Sequence, residues 1–350
     1  MIPDLTASEP PTLRVAHLVG DENWGGVTRS LAFLSQAPAL ARHARHSIVP
    51  VRPGTSQMPE IAADVIVSHL TVNWRNLPQL TALRARYPNL PLAHVEHSYT
   101  EGFVAGNVAN RLRFHSLLRA VYALFDEIAA VSSAQAEWIA TRGLAPRERV
   151  SLLRSCAGIG DFLALPQAAG AVRHFAAIGR FVPQKGFDML IPAFRAVTRP
   201  DVTLTFVGDG EMRETLADLA RGDARIRFSG YSDNPATVLE RFDAVLMPSR
   251  YEACGLVALE AMAAGRSVLV SGVDGLADHV ACGASLCSGH SVANWTAAIE
   301  AMAATDPHEA AARRQAARAA VALAEQEFAR AYDRLLSRLT GGDRRSLRAA

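Results

Sequence analysis

The chain has 350 residues, 49% of them apolar, and its 36 basic and 34 acidic side chains leave a net charge of +2. That length suggests two domains with a packed core each, and the balanced charge argues against a nucleic-acid binder. No apolar run reaches ~18 residues, which argues against a helical membrane span, and the start MIPDLTASEPPT has no signal-peptide pattern.

Apolar runs alternate with helix-periodic stretches from the beginning. LRVAHLVG (13–20) predicts a buried strand, and a turn with Gly25 and Gly26 leads into a helix over VTRSLAFLSQA. HSIVPV, ADVIVSHL and PLAHVEH are the next predicted strands. VANRLRFHSLLRAVYALF (108–125) interleaves Arg111, Arg113 and Arg119 with Leu112, Phe114, Leu117, Leu118 and Val121. This is an amphipathic helix, either packed on the core with solvated arginines or resting on an anionic membrane. DEIAAVS predicts a strand, and SAQAEWIATRG a helix capped by Ser132 or Ser133 and ended by Gly143. RVSLLRS closes the first series.

A Gly-, Ala- and Pro-rich stretch over 161–172 is the expected linker between a domain over 1–160 and one over 173–325. The alternation restarts with strands at HFAAIGR, VTLTFVG, RIRFSG, FDAVLMPS and RSVLVSG. Helices are expected at GFDMLIPAFRAV, EMRETLADLARG and GLVALEAMAAG. A C-terminal helix and a basic tail fill 326–350. Strands alternating with helices at these lengths predict an α/β protein with two doubly wound parallel sheets, whose ligands bind at the carboxyl ends of strands. Four cysteines, Cys156, Cys254, Cys282 and Cys287, form no C-x-x-C pair, as expected of reduced thiols in a cytoplasmic protein.

Chemistry concentrates at the strand ends of the second half. In IGRFVPQKGFDML (178–190), Arg180 and Lys185 sit at one strand–helix junction, an arrangement suited to a diphosphate. Lys185 is the single lysine; the other 35 basic residues are arginine. A compact ammonium suits a phosphate in a tight loop. VGDGEMRETL (207–216) supplies turn geometry through Gly208 and Gly210. In SRYEACGLVALEAMAAG (249–265), a helix starts near Gly255, and the amides of Gly255, Leu256 and Val257 are free to meet an anion. Glu252 precedes that anion site and Glu260 follows it inside the helix, at a position flanked by Val257, Ala258, Ala261 and Met262 that predicts burial. Two carboxylates astride a phosphate site suit a ligand with hydroxyls at both ends, such as a nucleoside diphosphate sugar.

This constellation resembles the retaining nucleotide-sugar glycosyltransferases of family four, within the glycosyl transferases group 1. The residues that carry it are Glu252-x7-Glu260 with Gly255-Leu256-Val257 between, Gly179-Arg180 with Lys185-Gly186, and Val207-Gly208-Asp209-Gly210. The resemblance implies the GT-B architecture of two Rossmann-like domains facing across a cleft. It implies that Arg180 and Lys185 neutralise the donor diphosphate, Glu260 holds the ribose and Glu252 the transferred sugar. Cys254, Gly255, Leu256 and Val257 would lie along the donor. Gly25 and Gly26 look like the family's glycine-rich turn, and His97 like its histidine near the sugar. Tyr231 is placed near the base. The chain departs from the family pattern at Ala253-Cys254, where Gly-Phe is common, and at Ser98, where Asp is frequent.

The implied reaction is metal-independent transfer of the sugar to a hydroxyl of a glycan or lipid-linked acceptor, with retention and with no cofactor beyond the donor. The implied setting is cell-surface or exopolysaccharide synthesis, cytoplasmic or at the inner face of a membrane. Two other classes remain open: a nucleotide-sugar epimerase of the same fold, and a non-catalytic two-domain sugar-binding protein.

Overall fold

The computed structural model describes residues 13–20, 25–36, 44–52 and 58–341. The polar start 1–12 and the basic tail 342–350, on which two of the expectations above rest, lie outside the described residues. Two parallel sheets of six strands each make up the framework. The first holds β1 (Leu13–Val19), β2 (Ala44–Pro50), β3 (Val65–Ser68), β4 (Leu92–Glu96), β5 (Glu127–Ala130) and β6 (Val150–Leu152). The second holds β7 (His174–Ile178), β8 (Thr203–Val207), β9 (Ile226–Gly230), β10 (Ala244–Met247), β11 (Ser267–Val270) and β12 (Ser285–Leu286). The arrangement is that of two Rossmann-like domains with the GT-B architecture.

Strand order locates the ligand edge of each sheet. The first runs β2-β1-β3-β4-β5-β6 and the second β12-β11-β10-β7-β8-β9. The order reverses between β1 and β3 in one and between β7 and β10 in the other. Loops leaving the strands at such a reversal diverge to opposite faces and open a crevice. The central strands are buried on both faces; β3, β4, β5 and β10 have no exposed residue. That fits their mostly apolar sequences, wholly so in β10 and interrupted in β3, β4 and β5 by Ser68, by His94 and Glu96, and by Glu127.

Helix ends follow local chemistry. Ser132 accepts from the Gln135 amide to start the helix Ser133–Thr141, and Gly143, at φ 57°, follows its end. The stretch 108–125 contains the helix Arg111–Tyr122, which buries Leu117, Leu118, Val121 and Tyr122 and leaves Leu112 81% exposed. The expected linker begins inside a short helix, Gly160–Ala164. Strand β12 is only two residues long, too short for periodicity to reveal.

The last helix, Ala324–Thr340, returns to the first sheet. Phe328, Tyr332, Leu335, Leu336 and Leu339 are buried in one cluster with Val15, Val65, Val67, Val95 and Ala129. Their spacing repeats along one helical face. Burying each such side chain contributes roughly 1.5–3 kcal/mol. Arg338 adds a bond from its Nε to Glu127 at 2.7 Å. The first sheet is therefore completed by the far end of the chain.

Candidate donor-binding cleft

Both reversal points open into one cleft of about 490 Å³. From the second sheet, the loop after β7 brings Gly179, Arg180 and Lys185. The loop after β10 brings Glu252, Cys254, Gly255, Leu256 and Val257. From the first sheet come Gly25, Gly26 and Arg29 after β1 and His97 after β4. Ten of the twelve residues singled out in the sequence therefore line a single cavity.

The helix Leu256–Ala263 points its amino terminus at this space. Its cap, Gly255, lies at φ 81° and no side chain caps the first turn. A Cβ there would fall 2.6 Å from Leu276 Cδ2, so glycine is required on both conformational and steric grounds. Uncapped amides together with the helix dipole make an anion site. Across the cleft, a Cβ on Gly26 would sit 3.0 Å from Leu256 Cδ1. The absence of a side chain lets the two lobes approach at this point.

Lys185 Nζ lies 2.5 Å from Glu252 Oε2, with both side chains largely buried. Ser249 Oγ also donates to Glu252 Oε2, at 3.3 Å. Glu252 is thus held by an ammonium and a hydroxyl. The exposed Arg180 adds a second cation at the same junction. Cys254 is a neutral thiol: burial, chiefly, pushes its pKa up to about 12.

Glu260 does not line the cleft. It is 2% exposed, and Arg29 of the first lobe covers it with an ion pair at 2.8 Å. Burial raises the pKa of Glu260, and Arg29 opposes that rise. Arg29 also lines a second cavity, of about 660 Å³, with Phe33, Asp233 and Pro235. Tyr231 lies apart from the two cavities. Strand β9 ends at Gly230 in a left-handed turn, and the side chain that follows is 70% exposed and lines neither cavity.

Sequence reasoning missed three residues. Arg29, three positions after Gly26, carried a signal only as the first cation beyond the glycine turn. Asp274 accepts from Thr100 Oγ1 (2.7 Å) and the Gly102 amide (3.0 Å) of the first lobe, and from the Glu252 amide (3.2 Å). It holds φ at 45°, a left-handed value tolerated by Asp and here supported by three bonds. No local pattern marks such a contact across the interface. The third is His69, whose Nδ1 lies 2.8 Å from His97 Nε2. Burial lowers the His97 pKa to about 4, so the ring is neutral near pH 7.

Residues 172–305 match the family model of glycosyl transferases group 1. Glycogen synthase of Mycobacterium tuberculosis is 37% identical over 150 residues, 40% of this chain and 36% of that protein. The lipopolysaccharide core biosynthesis glycosyltransferase LpsE of Rhizobium meliloti is 39% identical over 101 residues, 28% of this chain and 29% of that one. The matched stretches thus span about a third of these relatives. Among solved structures, HepE of Anabaena in complex with UDP and glucose aligns over 93% of this chain and 99% of its own, with a TM-score of 0.70 at 15% identity. That likeness concerns the fold.

Proposed function

We propose that this chain, whose residues 172–305 are a glycosyl transferases group 1 domain, is a retaining glycosyltransferase that moves a sugar from a nucleoside diphosphate sugar to an acceptor hydroxyl. The observation that carries the reading is the meeting, in one cleft, of Arg180, Lys185 and an uncapped helix start. Three sources of positive charge converge there, and the carboxylate of Glu252 stands beside them.

In this reading the diphosphate lies against the amides of Gly255–Val257, between Arg180 and Lys185. Breaking the bond between the anomeric carbon and the phosphate oxygen leaves positive charge on the sugar and negative charge on the diphosphate. Fixed donors aimed at the developing negative charge lower the barrier without reorganising. Glu252 accepts from hydroxyls of the transferred sugar. The nucleoside extends past Arg29 towards the second cavity, and displacing that guanidinium frees Glu260 for the ribose diol. Facing lobes exclude water from the reacting centre. The site residues supply this chemistry without a metal.

The acceptor occupies the first lobe. Arg111, Arg113 and Leu112 are exposed on the helix Arg111–Tyr122, and Arg113 lies over the ring of the half-exposed Trp74 at 5.1 Å. A basic surface with apolar and aromatic groups suits a lipid-linked acceptor at an anionic membrane face. The likeness of one segment to a lipopolysaccharide core glycosyltransferase supports a role in cell-surface glycan synthesis.

A thermal-shift screen of UDP, GDP, ADP and their sugars tests the core of the proposal. One nucleotide raises the melting temperature at concentrations where the others do not. The absence of a shift with every nucleotide overturns it.

A further inference from the structure

His97 is one end of a row of four imidazoles. His97 Nε2 faces His69 Nδ1 at 2.8 Å, His69 Nε2 faces His17 Nδ1 at 3.0 Å, and His17 Nε2 faces His46 Nδ1 at 3.1 Å. The rings sit on or just past β4, β3, β1 and β2, which are neighbours in the sheet. Successive ring centroids are 5.1, 5.3 and 5.3 Å apart. The rings form a line rather than a shell, and among the described residues no three side chains are grouped to hold a metal ion.

Burial keeps the row neutral. It lowers the pKa of His17 to about 3 and those of His46 and His97 to about 4, and it takes His69 well below its ordinary value. The other groups facing the row are Glu96, which favours a charged His97, His94, which opposes it, and Tyr332. A neutral imidazole has one donor and one acceptor. A row of four satisfies its three internal bonds in only two ways. Either every ring carries its proton on Nδ1, or every ring carries it on Nε2.

Two observations choose between these. Tyr332 is 1% exposed, and its hydroxyl has one hydrogen-bond partner among the described residues, His17 Nε2 at 3.3 Å. A buried phenol needs an acceptor, and His17 Nε2 can serve only if it holds a lone pair, shared in a three-centre bond between the His46 Nδ1–H and the Tyr332 hydroxyl. At the far end, His46 Nε2 is buried and has no partner among the described residues. With Nδ1 protonated it is an unused lone pair; with Nε2 protonated it becomes an orphaned N–H, the rarer fault in folded proteins.

We infer that Tyr332 and the other three histidines of the row hold His97 as its Nδ1–H tautomer, so that the histidine offers the cleft a neutral N–H donor for a ligand oxygen. His17, His46, His69 and Tyr332 are positioning residues; only His97 lines the cleft. The donor fits a hydroxyl or phosphate oxygen of the proposed substrate, and to that extent the inference rests on the proposed function. The tautomer itself does not. Imidazole in water favours Nε2–H, so a row of Nδ1–H rings is a signature imposed by the protein.

Long-range proton–nitrogen NMR on the 15N-labelled full chain at pH 7.5 tests the inference without any ligand. The expected result is a pyrrole-like Nδ1 and a pyridine-like Nε2 for all four rings. In Tyr332→Phe the external donor is gone while the bias from His46 remains, and His97 moves part of the way towards the averaged shifts of both tautomers. His17→Phe, which cuts the row in the middle, gives the same readout independently. A wild-type His97 protonated on Nε2 overturns the inference, as does a His97 spectrum unchanged in both variants. Loss of transferase activity as a premise would leave these spectra standing.

Discussion

Removing Arg29 isolates a carboxylate at the heart of the second lobe. Glu260 is 2% exposed and its ion pair with Arg29, at 2.8 Å, joins the lobes. Deleting one partner of a buried pair commonly costs about 3–5 kcal/mol, because a charge is left uncompensated. Protonation sets a ceiling on that cost. Keeping a carboxyl of ordinary pKa 4.5 neutral costs about 1.4 kcal/mol per pH unit above that value, or about 5 kcal/mol at pH 8 and about 1.4 kcal/mol at pH 5.5. The sign follows from burial: a raised folded-state pKa means stability present below about pH 4.5 and lost as pH rises towards the folded value. Arg29→Ala raises that pKa further and carries the loss into alkaline solution. Urea unfolding of wild type and Arg29→Ala, followed by circular dichroism, should give a deficit of about 3–5 kcal/mol at pH 8 and about 1–2 kcal/mol at pH 5.5. The double variant Arg29→Ala/Glu260→Gln should lose the pH dependence. An equal deficit at both pH values refutes the reasoning.

Lys185→Ala and Glu260→Ala should each weaken nucleotide binding by roughly 1.5–3 kcal/mol, or about 10- to 100-fold, in calorimetry with the nucleotide found in the thermal-shift screen. Glu252→Gln should leave that affinity nearly unchanged while lowering turnover, measured as sugar released to an acceptor. The buried imidazoles predict acid lability. Their folded pKa values are depressed, so the stability they contribute is present above about pH 6.5 and falls as pH drops towards about 4. Between pH 6.5 and 5, His17 and His97 together should cost about 3 kcal/mol, visible as a falling melting temperature that His17→Phe blunts. Co-sedimentation with anionic vesicles at low salt should capture the wild type, and charge-reversing Arg111 and Arg113 should release it.

The framework was legible because its strands are buried on both faces and its turns carry glycine. β10 appears in the sequence as an unbroken apolar run, and the Gly255 helix start as a loop ending in a residue that tolerates a left-handed φ. The convergence of Arg180, Lys185 and Glu252 followed from strand ends alone. What stayed hidden depends on contacts between distant segments. Arg29 meets Glu260 across 231 positions and Asp274 meets Thr100 across 174, and neither has a local pattern. The histidine row was visible only as four single residues near the ends of four strands. The strand order β2-β1-β3-β4 is what places them side by side.

The return of the last helix to the first sheet bears on how the chain is made. A ribosome delivers β1 to β6 first, yet Val15, Val65, Val67 and Ala129 acquire their cover of Phe328, Tyr332 and Leu335 only when the carboxyl end emerges. Until then part of one face of the first sheet, beyond what Leu34, Ile159 and Phe162 cover, is apolar and open. Such a surface is prone to association with other chains and to capture by chaperones. The second lobe has one core of its own, around Phe175, Phe194, Phe206 and Trp295, that draws on no residue beyond Ala310 and is free of this delay. For these two cores the order of completion can run against the order of translation: the one around Phe175 and Trp295, made second, can finish first.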